Sequence, residues 1–275
     1  LVFVGTLALT TGVAQEKPYF QQDVAYNIKV TLDDVKHELT GDETLEYTNN
    51  SPDVLSFIWM HTWPNAYKEN GTALEKQVTA NGETDLYYAN PEDRGWMDQL
   101  DFKVNGQSVK TEAHPVHNDI VKLLLNEPLQ PGRKITITTP FHVRIPNGNF
   151  SRMGHVDNQY QVTQWYPKPA VYDRNGWNEM PYLNMGEFYS EFGTFDVFIT
   201  LPKNYVVGAT GDLKGSDAEM LWMNELADAT KKKMETFDPK TATNIISPSA
   251  SEMKTLHYYQ KDVHDFAWFC DKNYN

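Results

Sequence analysis

The sequence predicts a mainly β protein, an antiparallel β-sandwich or saddle with one amphipathic helix inserted near 216–234. Three observations carry that expectation. Short apolar runs alternate with polar residues at a period of two, and turn residues punctuate them. Tyr, Trp and Phe make up 13% of the chain, a bias that suits pleated sheets. The strand–helix–strand alternation that builds parallel sheets is absent.

Taken in order, Tyr26, Ile28, Val30 and Leu32 alternate with Asn27, Lys29 and Thr31, the pattern of a half-buried strand. Asp33 and Asp34 turn it, and residues 43–48 read as its partner, ending at Asn49-Asn50-Ser51-Pro52. The apolar run 54–61 predicts a strand buried on both faces. Trp63-Pro64-Asn65 breaks it, and 67–79 has room for a short helix. Residues 102–109 read as a hairpin around Asn105-Gly106, the dipeptide whose backbone matches strand twist. Two more strands, 116–125 and 135–145, flank the Pro131-Gly132 turn. Another covers 195–201 and stops at Pro202.

The inserted helix has its own signature. Ser216 and Glu219 form a capping box, in which each side chain satisfies an amide at the helix start. Met220, Met223, Ala227, Thr230 and Met234 follow at spacings of three and four, an apolar stripe expected to pack on the sheet. Lys231, Lys232 and Lys233 stand at the end where the helix dipole favours cations. Residues 243–251 read as a polar loop, and 255–260 and 263–270 as closing strands.

Bulk properties narrow the function. The formal charge of −13 leaves no basic surplus for phosphates, so a nucleic-acid partner is not expected. Cys270 is the single cysteine, which excludes a disulfide framework and a cysteine-built zinc site. Residues 1–14 are apolar and uncharged but too short to cross a bilayer. They read as a truncated signal peptide, with Gly12-Val13-Ala14 as the cleavage site and Gln15 as the mature start. The expected organisation is therefore a signal remnant at 1–14 and one exported domain at 15–275, periplasmic or extracellular, with no transmembrane segment.

Aromatic rings crowd between Tyr160 and Phe198, in a stretch broken by Pro167, Pro169, Gly176, Pro181 and Gly186. Irregular backbone packed by its own rings is the kind of segment that carries function. Within it stand Thr163-Gln164-Trp165-Tyr166, the run from Trp165 to Asp173, the run from Gly186 to Gly193, and Phe195 to Pro202. This wording resembles the N-terminal domain of the aminopeptidase N-like zinc metallopeptidases (gluzincins), in a bacterial exported branch.

The resemblance implies a non-catalytic saddle that shapes a peptide substrate together with a zinc-bearing catalytic domain, expected after Asn275. It implies that Gln164 lies on the saddle's edge facing the zinc site and lines the first substrate pocket. The family's next acid, which helps hold the free α-ammonium, falls at Tyr166. A phenol cannot supply that charge at neutral pH. Tyr166 is thus the second substrate-binding candidate and a departure from the family pattern.

The catalytic motifs themselves are missing. The zinc helix needs His-Glu-x-x-His, which sets two imidazoles on one face beside a general base. His37-Glu38 is followed by Gly41 where the second ligand belongs, and Met234-Glu235 by Thr236 instead of the family's Asn. No catalytic residue, metal ligand or cofactor is therefore expected in this chain; the zinc would belong to the catalytic domain. His114 and His117 could offer two ligands, yet no third is placed beside them. The alternative reading is a secreted β-sandwich binding module for glycan or protein, with Trp165, Trp177 and Tyr182 as its recognition surface.

Overall fold

A computed structural model describes residues 18–215, 217–237 and 247–274. The predicted signal remnant 1–14, Gln15, the capping residue Ser216 and positions 243–246 of the predicted loop lie outside the described residues.

The protein is mainly β, as its sequence predicts. Strand Asp23–Asp33 turns into Glu38–Thr48, and the two pair antiparallel along their whole length. The second strand begins earlier than the expected 43 because Leu39 and Gly41 continue the inward alternation. A side chain at Gly41 would sit 2.4 Å from the Phe141 ring, so only glycine fits under the neighbouring strand. Lys134–Arg144 extends the sheet on that side.

On the other side lies Gly193–Pro202, followed by Met253–Val263. Gly193–Pro202 runs parallel to Asp23–Asp33, with Val24 opposite Gly193 and Thr31 opposite Thr200. Every other described strand ladder is antiparallel, so the sheets are mostly antiparallel, as expected, with this one parallel pairing added. The chain between the two strands is long enough for the crossover that parallel pairing demands.

A smaller sheet joins Lys168–Pro169, Leu55–His61, Ile120–Leu129 and Lys110–Ala113. A further one joins Gly154–Val156, Gln159–Val162, Trp268–Asp271 and Val206–Ala209. One contiguous core links all three, from Ile28 and Val197 through Ile58 to Val162 and Trp268. The predicted hairpin forms around Asn105 (φ 50°) and Gly106 (φ 79°), left-handed at both central positions. Predicted strand 116–125 starts only at Ile120, because Nδ1 of His114 accepts from the amides of Val116 and His117 and holds a turn. Helix Ala73–Ala80, within the stretch expected to hold one, is capped by Thr72, whose side chain accepts from the Glu75 amide.

The inserted helix runs Asp217–Met234, but none of its residues is fully buried. Its half-covered face is Glu219, Trp222, Met223, Leu226, Ala227 and Thr230. Met220 and Met234 are 49% and 60% exposed, so the predicted stripe is rotated, with only Met223, Ala227 and Thr230 shared. Lys254 decides the face: its ammonium pairs with Glu219 and lies 4.1 Å from the Trp222 ring. No described helix is long and apolar enough to cross a membrane.

Candidate functional site

Strand Gln159–Val162 ends two residues before Gln164, whose backbone is left-handed at φ 55°. That conformation is uncommon for a side chain other than glycine. Beyond it the chain turns inward. Trp165 and Tyr166 are buried, with Tyr166 edge-on to Tyr26 at 5.4 Å and to Phe195 at 5.8 Å. Lys168 follows, also buried, with its ammonium 4.6 Å from the Trp63 ring.

These side chains converge on one residue from far along the chain. Tyr166 donates its hydroxyl to Oδ1 of Asp265 at 2.7 Å, and Nζ of Lys168 reaches the same oxygen at 3.1 Å. The Phe266 amide donates there too, at 2.9 Å. The other oxygen, Oδ2, accepts from Nε2 of Gln164. The indole of Trp165 donates to the Phe266 carbonyl at 3.0 Å, which ties the same two segments together. Burial pushes the Lys168 ammonium toward its neutral form, and Asp265 opposes that shift. Burial, reinforced by Asp265, pushes the Tyr166 phenol well up, so it stays a hydrogen-bond donor.

Gln164, His61 and Glu191 each keep a buried polar atom without a hydrogen-bond partner among the described residues. Oε1 of Gln164 is buried and unbonded, although the residue is only 6% exposed. His61, strand partner of Lys168, has both ring nitrogens unbonded and stacks on Trp63 at 4.3 Å. Burial and then Lys168 push its imidazole well below the usual range, so it is neutral. Glu191 has one oxygen unbonded, and burial pushes its carboxyl up to about 7. Buried polar groups are ordinarily bonded, but unbonded ones also occur elsewhere among the described residues, at Glu43, Arg94 and Arg144 for example, so they do not by themselves mark a site.

Both predicted site residues thus belong to one cluster. Gln164 is itself buried, and Tyr166 has its hydroxyl committed to Asp265. The sequence did not point to Lys168 or Asp265. Asp265 falls inside the expected strand 263–270 and interrupts it: Met253–Val263 ends before it and Trp268–Asp271 begins after it. The one signal was an acid in a ring-rich run, a weak one.

The remaining candidates are accounted for by local contacts. His37 stacks on His155 at 3.7 Å and bonds the Tyr160 hydroxyl, while Glu38 lies against His142 and Arg144. His114 and His117 stack on each other at 5.0 Å. Among the described residues no group of three His, Cys, Asp or Glu side chains could hold a metal. Trp165 and Tyr182 are buried and Trp177 packs against Phe57 and Tyr172, so these three rings do not form an open stacking surface.

No family model matches the sequence, and no curated protein matches it. Solved structures do match. A mutant two-domain M1 zinc metallopeptidase bound to L-arginine aligns with a TM-score of 0.47 at 16% identity, over 90% of this chain and 42% of that one. An M1 zinc metallopeptidase from Deinococcus radiodurans aligns with a TM-score of 0.47 at 14% identity, over 92% of this chain and 42% of that one. A mutant from the same organism bound to a Tyr-Ser-Ala substrate gives 0.47 and 16%, over 90% and 42%. This chain therefore spans less than half the length of the structures it matches.

Proposed function

We propose that this chain is the non-catalytic N-terminal domain of a zinc-dependent metallopeptidase that removes N-terminal residues from peptides. In this reading residues 15–275 form one exported domain, periplasmic or extracellular, and 1–14 belong to a signal peptide. Zinc and its general base belong to a separate catalytic domain. The present residues shape the substrate side: Gln164 lines the first substrate pocket, and Tyr166 supports it through Asp265.

The observation that carries the reading is Gln164. It stands at the position where the motif resemblance places a substrate-facing amide, in left-handed backbone, with its nitrogen bonded and its oxygen unbonded. Backbone strain costs free energy, and such strain gathers at sites where a ligand is bound.

The test uses the protein that contains the catalytic domain. Gln164→Ala should lower kcat/KM by roughly 10- to 100-fold, the worth of one polar contact in the transition state, with zinc content unchanged. Unchanged kinetics on every peptide would remove Gln164 from the substrate pocket. A wild-type protein that binds stoichiometric zinc yet cleaves no peptide with a free N-terminus would overturn the aminopeptidase reading itself.

A further inference from the structure

We infer that the stacked pair His37 and His155 is an acid-sensitive latch. It holds the turn at 34–37 against the hairpin of Gly154–Val156 and Gln159–Val162 in neutral solution and releases it in mild acid. It involves neither Gln164 nor Asp265 and is independent of the functional reading above.

The turn ends in left-handed backbone at His37, φ 58°. Its imidazole lies face to face with that of His155, with centroids 3.7 Å and planes 10° apart. Nδ1 of His37 also bonds the Tyr160 hydroxyl at 2.8 Å, so the ring is tied to both strands of the hairpin. The backbone closes around the same contact. The Ile145 amide donates to the His37 carbonyl at 2.9 Å, and the Gly148 amide donates to the His155 carbonyl at 2.8 Å. The Arg144 guanidinium donates to the Lys36 carbonyl, which sets a fixed cation beside the two rings.

Neutral imidazoles can stack this closely, whereas imidazoliums at that separation repel each other. Burial, then His155 and Arg144, hold the His37 imidazole down at about 4, and burial lowers His155 as well. The acids that face the pair oppose this and are outweighed: Asp33 and Asp34 toward His37, Asp93 and Asp157 toward His155. Their charge is largely spoken for. Asp33 accepts the Val35 and Lys36 amides and lies 3.6 Å from the Lys36 ammonium. Asp34 accepts the Tyr205 hydroxyl at 2.7 Å and lies 3.9 Å from Lys272. Glu38, next in the chain, lies against Arg144 and His142. Asp93 accepts from Asn90, and Asp157 is exposed to water. The Tyr160 phenol, pushed up by burial, stays neutral and can donate to His37 or accept from it. Because His37 binds its proton more weakly in place than when released, the closed latch is fully stable above the ordinary value of 6.5. It loses stability as pH falls toward 4.

Amide hydrogen exchange at pH 7 and pH 5, with each rate divided by the intrinsic rate at that pH, reads the latch directly. Protection of the Ile145 and Gly148 amides should fall by roughly 20-fold, the ratio set by a midpoint of about 4 in place and 6.5 when released. Amides of the central strand Asp23–Asp33 should lose none. In His37→Phe/His155→Phe, which keeps two rings without a titrating nitrogen, the fall at Ile145 and Gly148 should vanish. Phenylalanine at φ 58° is strained, so His155→Phe alone serves as the variant that spares that backbone. In it the NMR titration midpoint of His37 should rise by about 0.5, because the neighbour that repels its proton is gone. Wild-type protection at Ile145 and Gly148 that does not change with pH overturns the inference, as does an equal fall in the double variant. A wild-type His37 midpoint at or above 6.5, or one unmoved by His155→Phe, overturns it as well.

Discussion

Strand pair Asp23–Asp33 and Glu38–Thr48 and the segment that follows Gln159–Val162 bury their chains in opposite ways. In the pair, one face carries Val24, Tyr26, Ile28, Val30 and Leu32 against Leu39, Gly41, Leu45 and Tyr47, with Glu43 the single charged exception. In the segment, Gln164, Lys168, Ser190 and Glu191 are all buried among rings. The ladder explains the difference. Paired strands satisfy their own amides and carbonyls, so their side chains can be purely apolar. Irregular backbone has fewer such partners and takes polar side chains inward to hold its shape. Those side chains then sit where water does not screen them, which makes the segment costly to build and able to aim a group. Precision of placement comes from Asp265, not from a strand.

The sharpest way to break this contrast is to remove its centre. Asp265→Ala leaves Lys168 buried without its counter-charge and should cost about 3–5 kcal/mol in denaturant unfolding. Adding Lys168→Met, an apolar chain of similar length, should return most of that loss. In the strand pair, Ile28→Val removes one methylene and should cost only about 0.5–1.5 kcal/mol. An Asp265→Ala cost no larger than the Ile28→Val cost would mean that the ion pair does not organise the segment.

The same contrast explains what could be read in advance. Strands such as 26–32 were legible because a period of two is a local signal, and Asn105-Gly106 because its turn needs left-handed backbone. Gln164 stands out in the sequence only through the wording around it. Lys168 and Asp265 were not: they are 97 residues apart, and each looks locally like an ordinary surface charge. The parallel pairing of 24–31 with 193–200 was hidden for a related reason, since strand order depends on the crossover between them. The helix was found, but its covered face depended on Lys254, which lies on another strand.

A second test concerns pH. Burial holds the Glu191 carboxyl near 7, against 4.5 for an ordinary glutamate. Between those values the unfolded chain releases a proton that the folded chain keeps, so stability falls as pH rises through this window. The full difference is about 3 kcal/mol, present below pH 4.5 and lost above 7. Glu191→Gln should therefore match wild type at pH 4 and exceed it at pH 8. Glu43, the exception in the strand pair, is raised by the same cause and should act in the same direction. A Glu191→Gln protein with wild-type pH dependence would show that this carboxyl is solvated in solution.

Effects on the regular part should be smaller and purely conformational. Gly106→Ala places a side chain in open space, yet at φ 79° it is strained. The expected loss is about 1 kcal/mol, with no change in the environment of Asp265. Thermal unfolding beside a tryptophan fluorescence spectrum checks both parts, since Trp165 and Trp268 lie in the buried cluster. A spectral change on mutating this distant turn would mean that the two regions are not independent.

The smallest effect separates two faces of one helix. Sequence periodicity put Met220 in the packing stripe, while the structure leaves it 49% exposed, half-covers Trp222 and Met223, and sets the Trp222 ring against Lys254. Met220→Ser should then change stability by no more than about 0.5 kcal/mol, as surface substitutions do. Met223→Ser removes part of a half-covered apolar chain and should cost about 1 kcal/mol, because only a fraction of its burial is lost. Denaturant unfolding of the two variants under one buffer resolves that ordering. Equal losses, or a larger one at Met220, would restore the stripe of Met220, Met223, Ala227, Thr230 and Met234. The helix would then sit rotated about its axis relative to Lys254. The ordering found here would mean that one cation over one indole, rather than the apolar period, chooses the face of this marginal helix.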